Sequence, residues 1–198
     1  MKNVNEPTYS FVILTFILII IDTLLAWISV QIPPTIAGGV VSRFYIAVAF
    51  MILFTLWFGA YGAIAAYAGT LVGSGLLASD TLAHHPEIAI IWAIAGLLQV
   101  LIPLVAVQSF GVNLSMESPR DFTYVLLFCV IINNLIGAAW ATWTLSLADA
   151  NAAASMGSVF STWFIGNAIV CILIVPLALK IFTPKVQKNR LFVKNYWD

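Results

Sequence analysis

Asp22 stands near the middle of an apolar stretch, where an ionised carboxylate is costly unless it finds a partner or a water-filled cavity. Two readings are open for it: a protonated or hydrogen-bonded structural group, or a contact for a ligand, cation or proton. Further along lie Trp92 and Gln99, then Asn133, Asn134, Trp140 and Trp143, then Trp163 and Asn167. In a helix, Trp163 and Asn167 fall one turn apart on one face. Amides that hydrogen-bond and indoles that stack are what a pocket for a small organic ligand uses. The same residue types also have purely structural uses: tryptophans form belts at the lipid headgroups, a role that suits Trp92 and Trp143, and asparagines hold membrane helices together. Arg43, the last of the candidates, is either an interfacial side chain reaching for headgroups or a contact for a ligand's anionic group.

Other chemistries find little support. His84 and His85 lie beside Asp80 and Glu87, a grouping with metal-ligand character, but neighbouring histidines seldom reach one ion from a helix. No metal and no cofactor is therefore assigned. There is no nucleophile-base-orienter set, P-loop or zinc spacing, so an enzyme is not expected. Eight basic and eight acidic residues cancel, leaving no electrostatic footprint for nucleic acid. Cys129 and Cys171 both fall inside apolar spans and read as small buried hydrophobes rather than disulfide halves.

The elements that must position these residues follow from composition. Hydrophobic residues make up 62% of the chain and charged residues 8%, against about 25% charged in soluble domains. Phe44 to Leu77 is a run of 34 residues without a charge. As one helix it would measure roughly 50 Å, against a hydrocarbon core of about 30 Å. It must fold back, and Phe58-Gly59-Ala60-Tyr61-Gly62 is the natural place. The expected fold is all-α, a polytopic integral membrane protein with six transmembrane helices. The spans lie near 9–32, 43–58, 61–78, 87–109, 121–147 and 156–182, the short second and third forming a tight hairpin. The first span exceeds the apolar core of a signal peptide and reads as a retained helix. Pro33-Pro34 with Gly38-Gly39, Pro86 and Ser118-Pro119 supply breaks, while Pro103 and Pro176 fall inside spans and predict kinks.

Basic residues set the orientation. Lys180, Lys185, Lys188, Arg190 and Lys194 follow or end the sixth span, which puts the C-terminus in the cytoplasm; six crossings put the N-terminus with Lys2 there too. The expected location is the plasma membrane. The expected organisation is one transmembrane domain over 1–182 and a basic cytoplasmic tail over 183–198, too short to be an output module. Arg43 is then the one basic residue left on the outer side. Asp22, Arg43, Gln99, Asn133, Asn134, Trp140, Trp163 and Asn167 fall together in the outer half or near the midplane.

In the third span, Gly62, Ala66, Gly69 and Gly73 lay a flat small-residue strip along one face. Such a strip allows close helix packing or docking of another membrane subunit. Val41-Ser42-Arg43, the apolar helix after it and Phe58-Gly59-Ala60-Tyr61-Gly62-Ala63 resemble the second and third helices of the substrate-binding S components of energy-coupling factor transporters. That resemblance implies six helices, a small organic ligand such as a vitamin, and partners comprising a membrane coupling subunit and ATPases. S components often carry a small-residue ladder in their first helix, where this chain has Ile17, Ile19, Ile20 and Ile21. In the C-terminal half, Ser118-Pro119-Arg120-Asp121 with Trp163-Phe164-Ile165-Gly166-Asn167 and Pro176-Leu177 resembles membrane-associated sensor domains of bacterial histidine kinases and cyclic-dinucleotide enzymes; Asn167 stands where that family usually has Asp. This second resemblance implies ligand sensing and a cytoplasmic signalling partner. The leading expectation is a substrate-specific subunit for solute uptake, followed by a sensory module and then an accessory subunit of a membrane complex.

Overall fold

The computed structural model describes residues 9–31, 35–36 and 41–193. Lys2, Pro33, Pro34, Gly38, Gly39 and Lys194 lie outside the described residues. Among the described residues the regular structure is all-helical apart from one small ribbon, in which β1 (Thr35–Ile36) pairs antiparallel with β2 (Val41–Ser42). Four helices among the described residues are long and apolar enough to cross a membrane. They are α1 (Tyr9–Gln31), the rod Pro86–Ser109, the rod Pro119–Leu145 and α10 (Met156–Val186). Between the first and second of these come α2 (Ala47–Phe58), of 12 residues, and α3 (Ala60–Gly69), of 10. A wide π-type turn carries α3 on through Thr70–Leu76.

Local chemistry explains where the elements stop. Gly59 takes a φ of 58°, a conformation most side chains resist, between α2 and α3. A Cβ on Gly62 would come within 2.5 Å of the Phe54 and Thr55 backbone, so the two helices touch directly after the turn. A short helix, α4 (Asp80–His84), follows, with Ser79 as its N-cap accepting from the Leu82 N–H at 3.1 Å. The rod Pro86–Ser109 consists of α5 (Pro86–Trp92) and α6 (Ile94–Ser109), parted at Ala93. In Pro119–Leu145, α7 (Pro119–Leu126) and α8 (Asn133–Leu145) join through a second π-type turn, Leu127–Ile132. Ser118 caps α7 and Asp149 caps α9 (Ala150–Ala154). Pro86 and Pro119 occupy first turns, where no N–H is needed. Pro103 and Pro176 do not interrupt their helices.

The surface of the bundle is apolar as well as its core, unlike that of a water-soluble domain. On α1, Phe16, Ile20 and Leu24 are 64%, 59% and 52% exposed, whereas Asp22 and Ser29 are buried. On α10, Leu173 and Leu177 face outward while Asn167 and Thr183 are enclosed. Such apolar helices are compatible with a membrane protein, since lipid is the solvent that favours apolar surface and satisfied internal polar groups. The small-residue strip of α3 packs against α1: a Cβ on Gly69 would stand 2.6 Å from Asp22 Cβ, and one on Gly73 would meet the Thr23 carbonyl oxygen and Ala26 Cβ. Past residue 182, α10 continues to Val186, held by Trp57 Nε1 donating to Thr183 Oγ1 at 3.1 Å. The chain then returns to α2, where Val193 N–H donates to the Trp57 carbonyl at 3.0 Å.

Candidate functional site

At one end of the bundle a small cleft opens between α3, α5, α6, α10 and the segment before α2. Ser42 and Tyr45 line it from that segment, Thr70 and Ser74 from the π-type turn after α3, Trp92, Gly96 and Gln99 from α5 and α6, and Trp163 and Asn167 from α10. Trp92 is the last residue of α5 and Trp163 lies in the third turn of α10, which places the cleft in the N-terminal parts of the rod Pro86–Ser109 and of α10. The wide turn brings Thr70 and Ser74 to the same wall. Gly96 is what lets α6 close on them, because a Cβ there would strike Thr70 Oγ1.

The polar atoms around this cleft fall into two groups. Tyr45 and Ser74 share a hydrogen bond of 3.3 Å, and Ser74 also donates to the Thr70 carbonyl at 3.0 Å. Asn167, by contrast, is fully buried with neither its Oδ1 nor its Nδ2 paired. The indole N–H groups of Trp92 and Trp163 are likewise buried and unpaired. Their rings meet edge-on with centroids 5.7 Å apart. Each unpaired buried group costs about 1–3 kcal/mol, so four such atoms on three side chains around one cleft are a considerable outlay. Among the described residues no charged side chain lines the cleft. It offers three donor nitrogens and one carbonyl acceptor to an uncharged, hydrogen-bonding guest. In this conformation the cleft has a volume of about 10 Å³, room for roughly one water.

The site residues expected from sequence divide accordingly. Gln99, Trp163 and Asn167 come together at the cleft. Asn134 is tied up in the core: it accepts from Gln99 Nε2 at 2.8 Å and donates to the Val130 carbonyl at 2.8 Å and to Cys171 Sγ at 3.4 Å. Asn133 donates to the Gln99 carbonyl at 3.3 Å. Trp140 joins helices by donating to the Ile91 carbonyl at 2.8 Å. These three stand outside the cleft because the helix face carrying them is turned towards α5 and α6. Asp22 is buried between α1 and α3 with both carboxylate oxygens unpaired, also outside the cleft lining. Arg43 lies outside the cleft lining, in the segment after β2, where Gly166 admits its backbone carbonyl against α10.

Trp92 departs from the belt reading. It is 1% exposed and forms a wall of the cleft, whereas Trp143, 49% exposed, keeps the position a belt residue needs. Ser42, Tyr45, Thr70, Ser74 and Gly96 were not foreseen. The available signal was the Thr70–Ser74 pair, two hydroxyls four residues apart in an apolar span. A larger recess, about 590 Å³ and wide open, lies among His84, His85, Asp149 and Asn151. Its polar groups have local partners: His84 Nδ1 with the Asp80 carbonyl at 2.7 Å, His85 Nδ1 with Glu87 at 3.3 Å, and Asp149 with the Asn151 N–H at 2.8 Å. Among the described residues no three His, Cys, Asp or Glu side chains gather as a metal site would require. Cys129 and Cys171 are free and buried. No protein-family model matches this chain, and neither a curated protein nor a solved structure is a match for it.

Proposed function

We propose that this chain is an integral membrane protein of six crossings that binds a small, uncharged, hydrogen-bonding organic solute in the outer half of its bundle, as the substrate-specific subunit of an uptake system. The observation that carries the reading is the convergence of Trp92, Trp163 and Asn167, with four unpaired buried polar atoms, on one cleft without charge. The crossings are the four long helices together with α2 and the 60–76 segment as a short membrane hairpin about Gly59. Both termini are then cytoplasmic, by the distribution of basic residues. The described conformation is read as the closed one; admitting a solute requires the segment from Ser42 to Tyr45, whose Arg43 backbone seats against Gly166 of α10, to move. Coupling to transport falls to a membrane partner with ATPases, as the resemblance to S components implies.

A sensory role is the second reading, favoured by α10 itself. One helix of 31 residues carries Trp163 and Asn167 at the cleft and Thr183, bonded to Trp57, at the other end. A guest that shifts α10 thereby reaches the cytoplasmic tail.

Tryptophan fluorescence of the purified protein, titrated with vitamins, vitamin precursors and other small neutral solutes, tests the binding claim. A saturable change for one class, reduced in Trp163→Phe, is expected. A flat response across the panel in fluorescence and in thermal stability counts against it. Co-purification of an ATPase pair separates uptake subunit from sensor; co-purification of a kinase reverses the order.

A further inference from the structure

A second groove lies on the opposite side of the segment Ser42-Arg43-Phe44 at the end of β2. Arg43 and Phe44 form one wall and α10 the other, with a volume of about 240 Å³. Along α10 the groove changes character in sequence order: Ser161 and Thr162 come first, within two turns of the helix start, and Ile165 and Ile169 follow one and two turns deeper. Gly166 forms the floor, its missing side chain giving the Arg43 backbone a seat against the helix. Arg43 is exposed, and its guanidinium makes no ion pair or hydrogen bond among the described residues. Ser161 spends its hydroxyl proton on the Gly157 carbonyl at 2.7 Å, while Thr162 has no such bond among the described residues.

We infer that this groove holds an outer-leaflet phospholipid, its phosphodiester on Arg43 and the Thr162 hydroxyl and one acyl chain along Ile165 and Ile169. A guanidinium and a hydroxyl above two exposed isoleucines reproduce the polarity order of a lipid from headgroup to tail. Arginine suits a phosphate through its fork of donors. The basic residue on the outer side, against the usual bias, thereby acquires a partner. This inference rests on the membrane-insertion part of the proposed function and is independent of the solute.

Native mass spectrometry of the full chain, delipidated in detergent and supplied with phosphatidylglycerol, provides the test. One retained lipid per chain is expected. Arg43→Gln should lower its occupancy about fivefold, the worth of one surface cation near an anionic headgroup. Thr162→Val should lower it to a smaller extent, and Lys188→Gln at the far end should leave it unchanged. The inference is overturned by equal retention in Arg43→Gln, by loss in Lys188→Gln instead, or by displacement of the lipid with millimolar inorganic phosphate. Lipid retention that depends on Lys188 overturns the groove and leaves membrane insertion standing; a chain extracted from membranes without detergent overturns both.

Discussion

Asn134 and Asn167 are the same residue type on neighbouring helices, both fully buried, yet one has its amide saturated and the other has it empty. Replacing Asn134 by Leu strands the Gln99 amide in the core, and a loss of about 1–3 kcal/mol is expected in unfolding followed in detergent. Asp22→Asn should stay within about 1 kcal/mol of the native protein, because neither carboxylate oxygen has a bond to lose; a larger drop in melting would point to a bound cation. The sequence displayed these amides and the buried acid plainly. Which amide is satisfied was not legible in it, since the partner of Asn134 is Gln99, 35 positions away on another helix. For Trp92 the difficulty was similar: an indole near a helix start fits a headgroup belt equally well until neighbours cover it.

Helix breaks with a local cause were legible, and so was the passage of two helices through an internal proline. Ser118-Pro119 and the Gly59 turn lie where the residues put them, because caps and positive φ act within a few residues. Pro103 and Pro176 sit within unbroken helices, inside the spans in which the apolar runs placed them. The two π-type turns, one of which presents Thr70 and Ser74 to the cleft, left no periodic signature. The strip Gly62, Ala66, Gly69 and Gly73 was readable as small, and α1 proves to be the surface on Gly69 and Gly73. Gly69→Ala therefore meets Asp22 Cβ at 2.6 Å and backbone at 2.9 Å, and should cost about 1–3 kcal/mol by overpacking. Gly157, with open space around its position, is the control: Gly157→Ala should be neutral or gain up to about 1 kcal/mol. Thermal melts of the two variants side by side check the contrast.

For the whole molecule, the membrane reading predicts that the cleft end and the α10 end face opposite solutions. Single cysteines at Ser155 and Lys188, both exposed, should label with an impermeant maleimide from opposite sides of a sealed vesicle. The native Cys129 and Cys171, both buried, should contribute little background. Labelling of both positions from one side contradicts six crossings. Among the described residues, four of the buried polar atoms without partners belong to side chains lining one cleft, and the account stands on those atoms being reserved for a guest. The direct test is Asn167→Leu, compared with the native protein for melting temperature and for affinity towards the solute identified by fluorescence. The account predicts unchanged or higher stability, because no existing hydrogen bond is lost, together with at least about a tenfold fall in affinity from the missing amide contacts. Lowered stability with unchanged affinity would contradict it, and would make Asn167 a structural group bridged by water.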